Sequence, residues 1–237
     1  MSGLKEKLKR ASEYKDVDFY NVNSIGVICR GASVYRLDLC YKKFNHCYLS
    51  GEFNNTLYKI EDYLRGKEIV LCIMQQLRYR TSKQNCERFG IKNLQIRCQE
   101  GTKEHGDNIA KFPDLKVVGF TKKHYEIVAM INENMVNDNR SIFSTGLSAI
   151  ISALYFNPRD IYVIGMDFYD KTVKPYFVRE KMDVAHVERI NISIKGLRAG
   201  MLESINNICD LFPDINLHLY TTYRGVKSRN NLDVRYV

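Results

Sequence analysis

Short apolar runs alternate with longer stretches of helical periodicity along most of the chain. Seven runs have the length and β-branched content of buried strands: Ser24–Cys29, His46–Ser50, Glu68–Ile73, Asn93–Cys98, Lys116–Phe120, Ile161–Tyr169 and Asn216–Tyr220. Between them the period shifts. Asn54 and Asn55 are cap residues for a helix to about Leu64, Gln75–Phe89 reads as a basic helix, and Thr121 caps a helix carrying Ile127, Val128, Met130 and Ile131. Ser193–Leu211 is amphipathic and is closed by Pro213. One helix stands apart: Ser144, Thr145 and Gly146 open Leu147–Tyr155, which is almost wholly apolar and leads past Pro158 into the sixth strand. A helix apolar all round is a buried one. Strands alternating with helices predict the α/β class, as a doubly wound, mainly parallel, Rossmann-like sheet with right-handed crossovers and flanking helices. The polar stretches 99–114 and 132–140 read as loops, 170–192 as a long charged lid, 1–23 as a charged lead-in and 221–237 as a basic, peripheral tail. With no internal repeat, 1–237 reads as a single domain.

Composition narrows the partners. With 36 Lys and Arg against 27 Asp and Glu, the formal charge is +9, which favours anions: nucleic acid, an acidic membrane surface, or a phosphorylated or carboxylated substrate. The basic residues are spread along the chain and form no RNA-binding signature, which counts against nucleic acid. The seven cysteines are scattered and no pair has CxxC spacing, so neither a zinc site nor a disulfide framework is expected. Cys29, Cys72 and Cys98 fall in apolar runs as small core residues, which fits a reducing compartment. No apolar signal region and no run of about 18 apolar residues is present, so a cytoplasmic protein without a transmembrane segment is expected, with peripheral membrane contact open to its basic charge.

In such a sheet, ligands bind outside the carboxyl ends of the strands. That rule gathers Arg30–Ser33, Ser50–Glu52, Ser144–Gly146 and Gly165–Tyr169 around one crevice. Backbone N–H groups at the head of the apolar helix can hold a phosphate. Asp167 and Tyr169 at a strand end can reach a ribose or the same phosphate. Gly31 and Ala32 allow close backbone approach, and Arg30 is either a fixed positive charge for phosphate or carboxylate or a solvated turn residue. Neither a GxGxxG fingerprint nor a GxxxxGK[ST] loop occurs. Asp16 and Asp18 precede the first strand, and no HExxH or His/Cys cluster appears, so no metal site is expected. His186, in the long charged loop, is suited by its ordinary pKa of ~6.5 to take a proton from a hydroxyl. His46, His105, His124 and His218 read as surface residues. Tyr169 and Tyr176 flank the same loop, and phenol donors can stabilise a leaving phosphate without a metal.

These pieces, in this order, resemble the bacterial sialyltransferases with a single Rossmann-like domain, a variant of the GT-A architecture. That family transfers sialic acid from its cytidine monophosphate (CMP) ester to a sugar hydroxyl. Its first strand runs into a turn of the form G-N-G-P-S, which Ile28–Ser33 resembles. A later helix opens T-S-G and the following strand ends G-I-D-F-Y, to which Ser144–Gly146 and Gly165–Tyr169 are similar. A second tyrosine and a histidine follow, as Tyr176 and His186 do. The likeness spans most of residues 24–220 and is strongest over about 142–170. It implies that Ser144, Thr145 and Gly146 bind the CMP moiety, with Arg30, Gly31, Ser33 and Gly165 lining the donor site and Asp167 meeting ribose or base. Tyr169 and Tyr176 would stabilise the departing phosphate, and His186 would activate the acceptor hydroxyl. The implied partners are a nucleotide-sugar donor and a glycan acceptor, with no cofactor and no metal; related transferases often form homo-oligomers. Three positions depart from the family: Arg30 and Gly51 stand where it has asparagines, and Ile164 where it has a serine. The alternatives are a Mg-dependent nucleotide diphosphotransferase of related fold and a non-catalytic nucleotide- or nucleic-acid-binding protein.

Overall fold

The strand β1 (Ser24–Ile28) is apolar on both faces: Ile25 and Val27 enter one core cluster, Ile28 enters another, and all three are fully buried. A strand of this kind needs cover on both sides, which is the signature of a parallel sheet between helical layers. The structure, a computed structural model, describes residues 22–51, 55–73, 86–133, 135, 144–168 and 184–237, without the side chains of 55–58, 73 and 184–195. β1 is followed by β2 (His46–Ser50), β3 (Glu68–Ile73), β4 (Asn93–Gln99), β5 (Lys116–Phe120), β6 (Asp160–Ile164), β7 (Asn216–Thr221) and β8 (Leu232–Tyr236). All eight strands are parallel in one sheet of order β5-β4-β3-β2-β1-β6-β7-β8. The winding starts in the middle, proceeds outward to β5, then returns to the other side of β1 and proceeds outward to β8. The strand order therefore reverses between β1 and β6.

The helices are α1 (Asn55–Leu64), α2 (Lys103–Lys111), α3 (Lys122–Glu133), α4 (Thr145–Leu154) and α5 (Val184–Leu211), with 3-10 turns over Ala32–Leu39 and Tyr41–Lys43. α4 is the expected apolar helix, and every residue from Leu147 to Leu154 is buried. It packs against β1, β2, β3 and β6 and against α3, which in turn contacts α5. The opposite face of the sheet is filled by Val34 and Leu37 of the first 3-10 turn, by Phe44, and by Ile60 and Leu64 of α1.

Several expectations are corrected. The tail 221–237 is not peripheral, because β8 pairs with β7 from Leu217–Leu232 to Thr221–Tyr236. The polar stretch 99–114 contains α2, whose N-cap Thr102 accepts a hydrogen bond from the His105 N–H. Gly106 and a nearly all-polar composition hide that helix from a reading based on apolar period. α5 begins at Val184, so 184–192 is helical rather than loop. The sixth strand ends at Ile164, where Gly165 turns the chain with φ +80. His124 is 2 % exposed and His105 is buried as well, so neither is a surface residue. Of the expected helix 75–89, residues 86–89 are helical and the rest lies outside the described residues, as do the lead-in to residue 21 and the lid from 169 to 183.

Candidate active site

At the reversal point, pairing between β1 and β6 continues past the strands themselves. The Cys29 N–H donates to Ile164 O (2.7 Å) and the Gly31 N–H to Gly165 O (2.7 Å). This close approach requires the two glycines. A Cβ on Gly165 would lie 2.5 Å from the Cys29 carbonyl carbon, and one on Gly31 would lie 2.5 Å from Gly165 O. The small residues of this turn make room for the chain itself rather than for a ligand.

Asp167 locks the same junction. It is 8 % exposed; its Oδ2 accepts from the Ser33 N–H (2.9 Å), and its Oδ1 accepts from the Thr222 N–H (3.0 Å) and lies 3.2 Å from the Thr221 hydroxyl. Ser33 Oγ in turn accepts from the Gly165 N–H (2.9 Å). Asp167 and Ser33 thus tie together the ends of β1, β6 and β7. Both Asp167 oxygens serve the scaffold, which makes this residue a positioning group beneath the crevice.

The first turn of α4 lies directly above. Ser144 is its N-cap, with Oγ accepting from the Leu147 N–H (3.2 Å). A Cβ on Gly146 would lie 2.8 Å from Met166 Cε, 3.0 Å from Cys29 Sγ and 3.8 Å from Ser50 Oγ, so the helix start rests on the ends of β6, β1 and β2. Ser144, Thr145 and Gly146 are half-buried, while the helix behind them is wholly buried. First-turn N–H groups of a helix have no partner within it, and they carry its positive dipole end. At the ends of β1 and β2, the Arg30 guanidinium lies across Gly51: a Cβ on Gly51 would meet Nε, Cζ and Nη2 at 3.2, 3.3 and 3.4 Å. Cys29 forms the floor. Burial pushes its thiol up to about 12 against the opposing hydrogen bond with Ser50, the Asp167 charge raises it further and Arg30 lowers it, so Cys29 is a poor nucleophile.

The far wall is set by Phe168, buried and left-handed at φ +49. Its carbonyl accepts from Arg198 Nε (2.7 Å) on α5, and the Arg198 guanidinium stacks 5.0 Å from the Tyr223 ring centre. Tyr169 and Tyr176 lie outside the described residues. His186 is the third residue of α5 and its side chain is not described. The structure therefore brings together Arg30, Gly31, Ser33, Ser144, Thr145, Gly146, Gly165 and Asp167 of the expected set. Sequence reasoning missed Thr221, Thr222 and Arg198. Thr221 could have been found as the carboxyl end of the strand beside β6; Arg198 carries no such signal inside its helix. Among the described residues no group of three or more His, Cys, Asp or Glu side chains is placed to hold a metal, and no helix is long and apolar enough to cross a membrane. A separate cavity, lined by Cys86, Ile91, Lys111, Phe112 and Leu115, opens at the amino ends of β4 and β5, away from the crevice.

The fold is an all-parallel α/β sheet whose strand order reverses between β1 and β6, the place where sheets of this kind bind ligands. Two solved structures share this fold. The monofunctional α-2,3-sialyltransferase Cst-I of Campylobacter jejuni aligns with a TM-score of 0.50 and 16% identity, over 92% of this chain and 82% of its own. An α-2,3-sialyltransferase from Campylobacter jejuni in apo form aligns with a TM-score of 0.52 and 17% identity, over 93% and 82%. At these identities the likeness is one of fold. No family profile and no curated protein sequence matches the chain.

Proposed function

We propose that the protein is a metal-independent, sialyltransferase-like glycosyltransferase that moves an acidic sugar from a CMP-activated donor to a glycan hydroxyl. The observation that carries this reading is the seating of the Ser144–Gly146 helix start on the ends of β1, β2 and β6, in a fold shared with α-2,3-sialyltransferases. The donor phosphate takes the first-turn N–H groups of α4. Gly31, Ser33, Gly165 and Asp167 hold the junction beneath it rigid. The acceptor hydroxyl oxygen bonds to the anomeric carbon while its proton passes to the His186 imidazole. The bond from that carbon to the phosphate oxygen breaks, and CMP leaves with Tyr169 and Tyr176 donating to its oxygens. A nucleoside monophosphate carries less charge than a diphosphate, so hydroxyl donors are sufficient to stabilise its departure.

A thermal-shift panel with cytidine, uridine and guanosine mono- and diphosphates tests the donor class. Selective stabilisation by CMP is expected, about 2.7 kcal/mol at a hundredfold excess over Kd. Transfer should persist in EDTA and drop by roughly 10²–10⁴-fold in His186→Ala. No shift with any nucleotide would overturn the reading. Turnover that needs Mg²⁺ and a nucleoside triphosphate would assign the diphosphotransferase instead, and tight, steeply salt-dependent RNA binding without turnover would assign a nucleic-acid-binding protein.

A further inference from the structure

The carboxyl-end rim of the sheet continues outward from the Asp167 junction onto β7 and β8. Thr221, whose hydroxyl lies 3.2 Å from Asp167 Oδ1, is the register partner of Tyr236 on β8. Partners on neighbouring parallel strands project to the same face, and alternation along each strand fixes which face it is. Leu217 and Leu219 of β7, and Leu232 and Val234 of β8, belong to the core cluster that includes α4, so Thr221 and Tyr236 stand on the α4 side of the sheet. Asp233 and Arg235 stand on the other side, where they meet His218 and Tyr220.

Tyr236 is pinned at this rim. Its hydroxyl donates to the carbonyl of Val226, and the Val237 N–H donates to Thr221 O (3.2 Å). The ring is 37 % exposed, and the Arg224 guanidinium stacks over it, 4.6 Å from its centre. Arg224 follows closely on Thr222, whose N–H donates to Asp167 Oδ1. A guanidinium stacked on an aromatic ring keeps its N–H donors in its own plane, directed away from the ring. Seated in this way, a long cation gives up less conformational freedom when a ligand arrives.

The charges around Arg224 select an anion. The segment from Thr221 to Asn231 holds Arg224, Lys227 and Arg229 and no carboxylate. Arg229 pairs with Asp210, Asp167 is committed to Ser33, Thr221 and Thr222, and Asp233 is held by His218 and Arg235 on the far face. Arg224 and Lys227 are both exposed, and neither has a carboxylate partner among the described residues. β8 lies two strands out from β6, so this cation stands about 10 Å along the rim from the β6 end of the crevice, the span of two linked sugar rings.

We propose that Arg224, stacked on Tyr236, forms an acceptor subsite that binds a carboxylate or phosphate on the sugar next to the one being modified. This rests on the glycosyltransferase reading above. A neutral glycan leaves the guanidinium without its anion and binds more weakly.

The test is calorimetric titration of the CMP-saturated protein with three probes that share a terminal galactose: lactose, lactobionic acid and lactose 1-phosphate. The second carries a carboxylate on the neighbouring residue and the third a phosphate. Wild type should bind at least one anionic probe about tenfold to a hundredfold more tightly than lactose, as expected for charge-assisted hydrogen bonds, and the probe that gains more tells carboxylate from phosphate. Arg224→Gln should remove that advantage and leave lactose binding as it was. Arg224→Lys keeps the charge without the planar fork and should retain part of it. Tyr236→Leu, which takes away the seat, should lose a smaller part than Arg224→Gln does. CMP affinity equal to wild type in each variant checks that the fold is intact. A wild type without preference for the anionic probes, including one that binds none of the three, overturns the proposal, and so does a preference that survives in Arg224→Gln. If CMP binds and either of these is seen, only this subsite fails; if wild type does not bind CMP, the donor reading fails and takes the subsite with it.

Discussion

Asp167 shows how a carboxylate at the mouth of a crevice can be turned entirely to structural use. It accepts from the backbone N–H groups of Ser33 and Thr222, residues on two different strand ends, and one of those partners is 134 positions away in sequence. Asn in its place has a single acceptor oxygen. Whichever way the amide faces, its NH2 group meets one backbone N–H, and a buried donor is left unsatisfied. Asp167→Asn should therefore cost about 1–3 kcal/mol in a urea titration. Equal stability of the two proteins would show that these hydrogen bonds do not hold the junction. The sequence marks Asp167 as a strand-end carboxylate in a ligand crevice. It does not show which way the oxygens point, because their partners come from Ser33 and Thr222, far off in the chain.

At the level of elements, the apolar pattern is a good guide to whatever is buried on both faces and a poor one elsewhere. β1 to β7 and α4 were legible because most of their described residues are buried, even in β5 at one edge of the sheet. β8 is an edge strand, and its true signal is alternation: Leu232 and Val234 face the core while Asp233 and Arg235 face out. Read by charge, the same residues look like a basic tail. α2 is a thinly apolar helix held by its cap and by Phe112 behind it. The packing of α3 on β5 and α4 creates a buried histidine that no pattern announces. His124 lies between Phe120 and Tyr155, with ring centres 4.8 Å away on each side. The Thr121 N–H donates to its Nδ1 (3.1 Å), so the neutral ring carries its proton on Nε2; the Gln95 amide 3.2 Å away accepts a hydrogen bond from it with its oxygen turned to the ring, which also gives the otherwise unpartnered Oε1 a donor. Burial pushes this imidazole down to about 3, with the Lys123 charge adding to the effect. A lowered pKa in a base means that the unfolded chain takes up a proton first as the pH falls. Stability should therefore decline from about pH 6.5 towards pH 3, by up to about 1.4 kcal/mol per pH unit from this group alone. In His124→Gln that one-proton component of the slope should vanish in denaturation curves at stepped pH. An unchanged slope would mean that the ring is protonated in the fold.

Across the whole molecule, the seven cysteines are free, buried and raised: Cys29, Cys40, Cys47 and Cys72 to about 12, and Cys86, Cys98 and Cys209 to about 11, chiefly by burial. Three were legible as core residues from their apolar runs; the other four became core through tertiary packing. A raised thiol pKa favours the fold below the unfolded value of 9.0, and that advantage is lost as the pH climbs towards the folded values. Each thiol contributes up to about 1.4 kcal/mol per pH unit to the loss. Stability should therefore drop steeply above pH 9 in urea titrations run with reductant, and a flat profile to pH 10.5 would contradict the buried thiols.

The reversal of strand order also sets a timetable. Five of the eight strands, β1 to β5, are contained in the first 120 residues, but β1 acquires its second neighbour only with β6, at residues 160–164. The knot at Asp167 needs Thr221 and Thr222, later still. On the ribosome, an N-terminal half can collapse early with one side of β1 open. The junction beneath the crevice is closed only when nearly the whole chain has been made, so a product that stops after β6 has the crevice residues but not the Thr221 and Thr222 partners that lock Asp167.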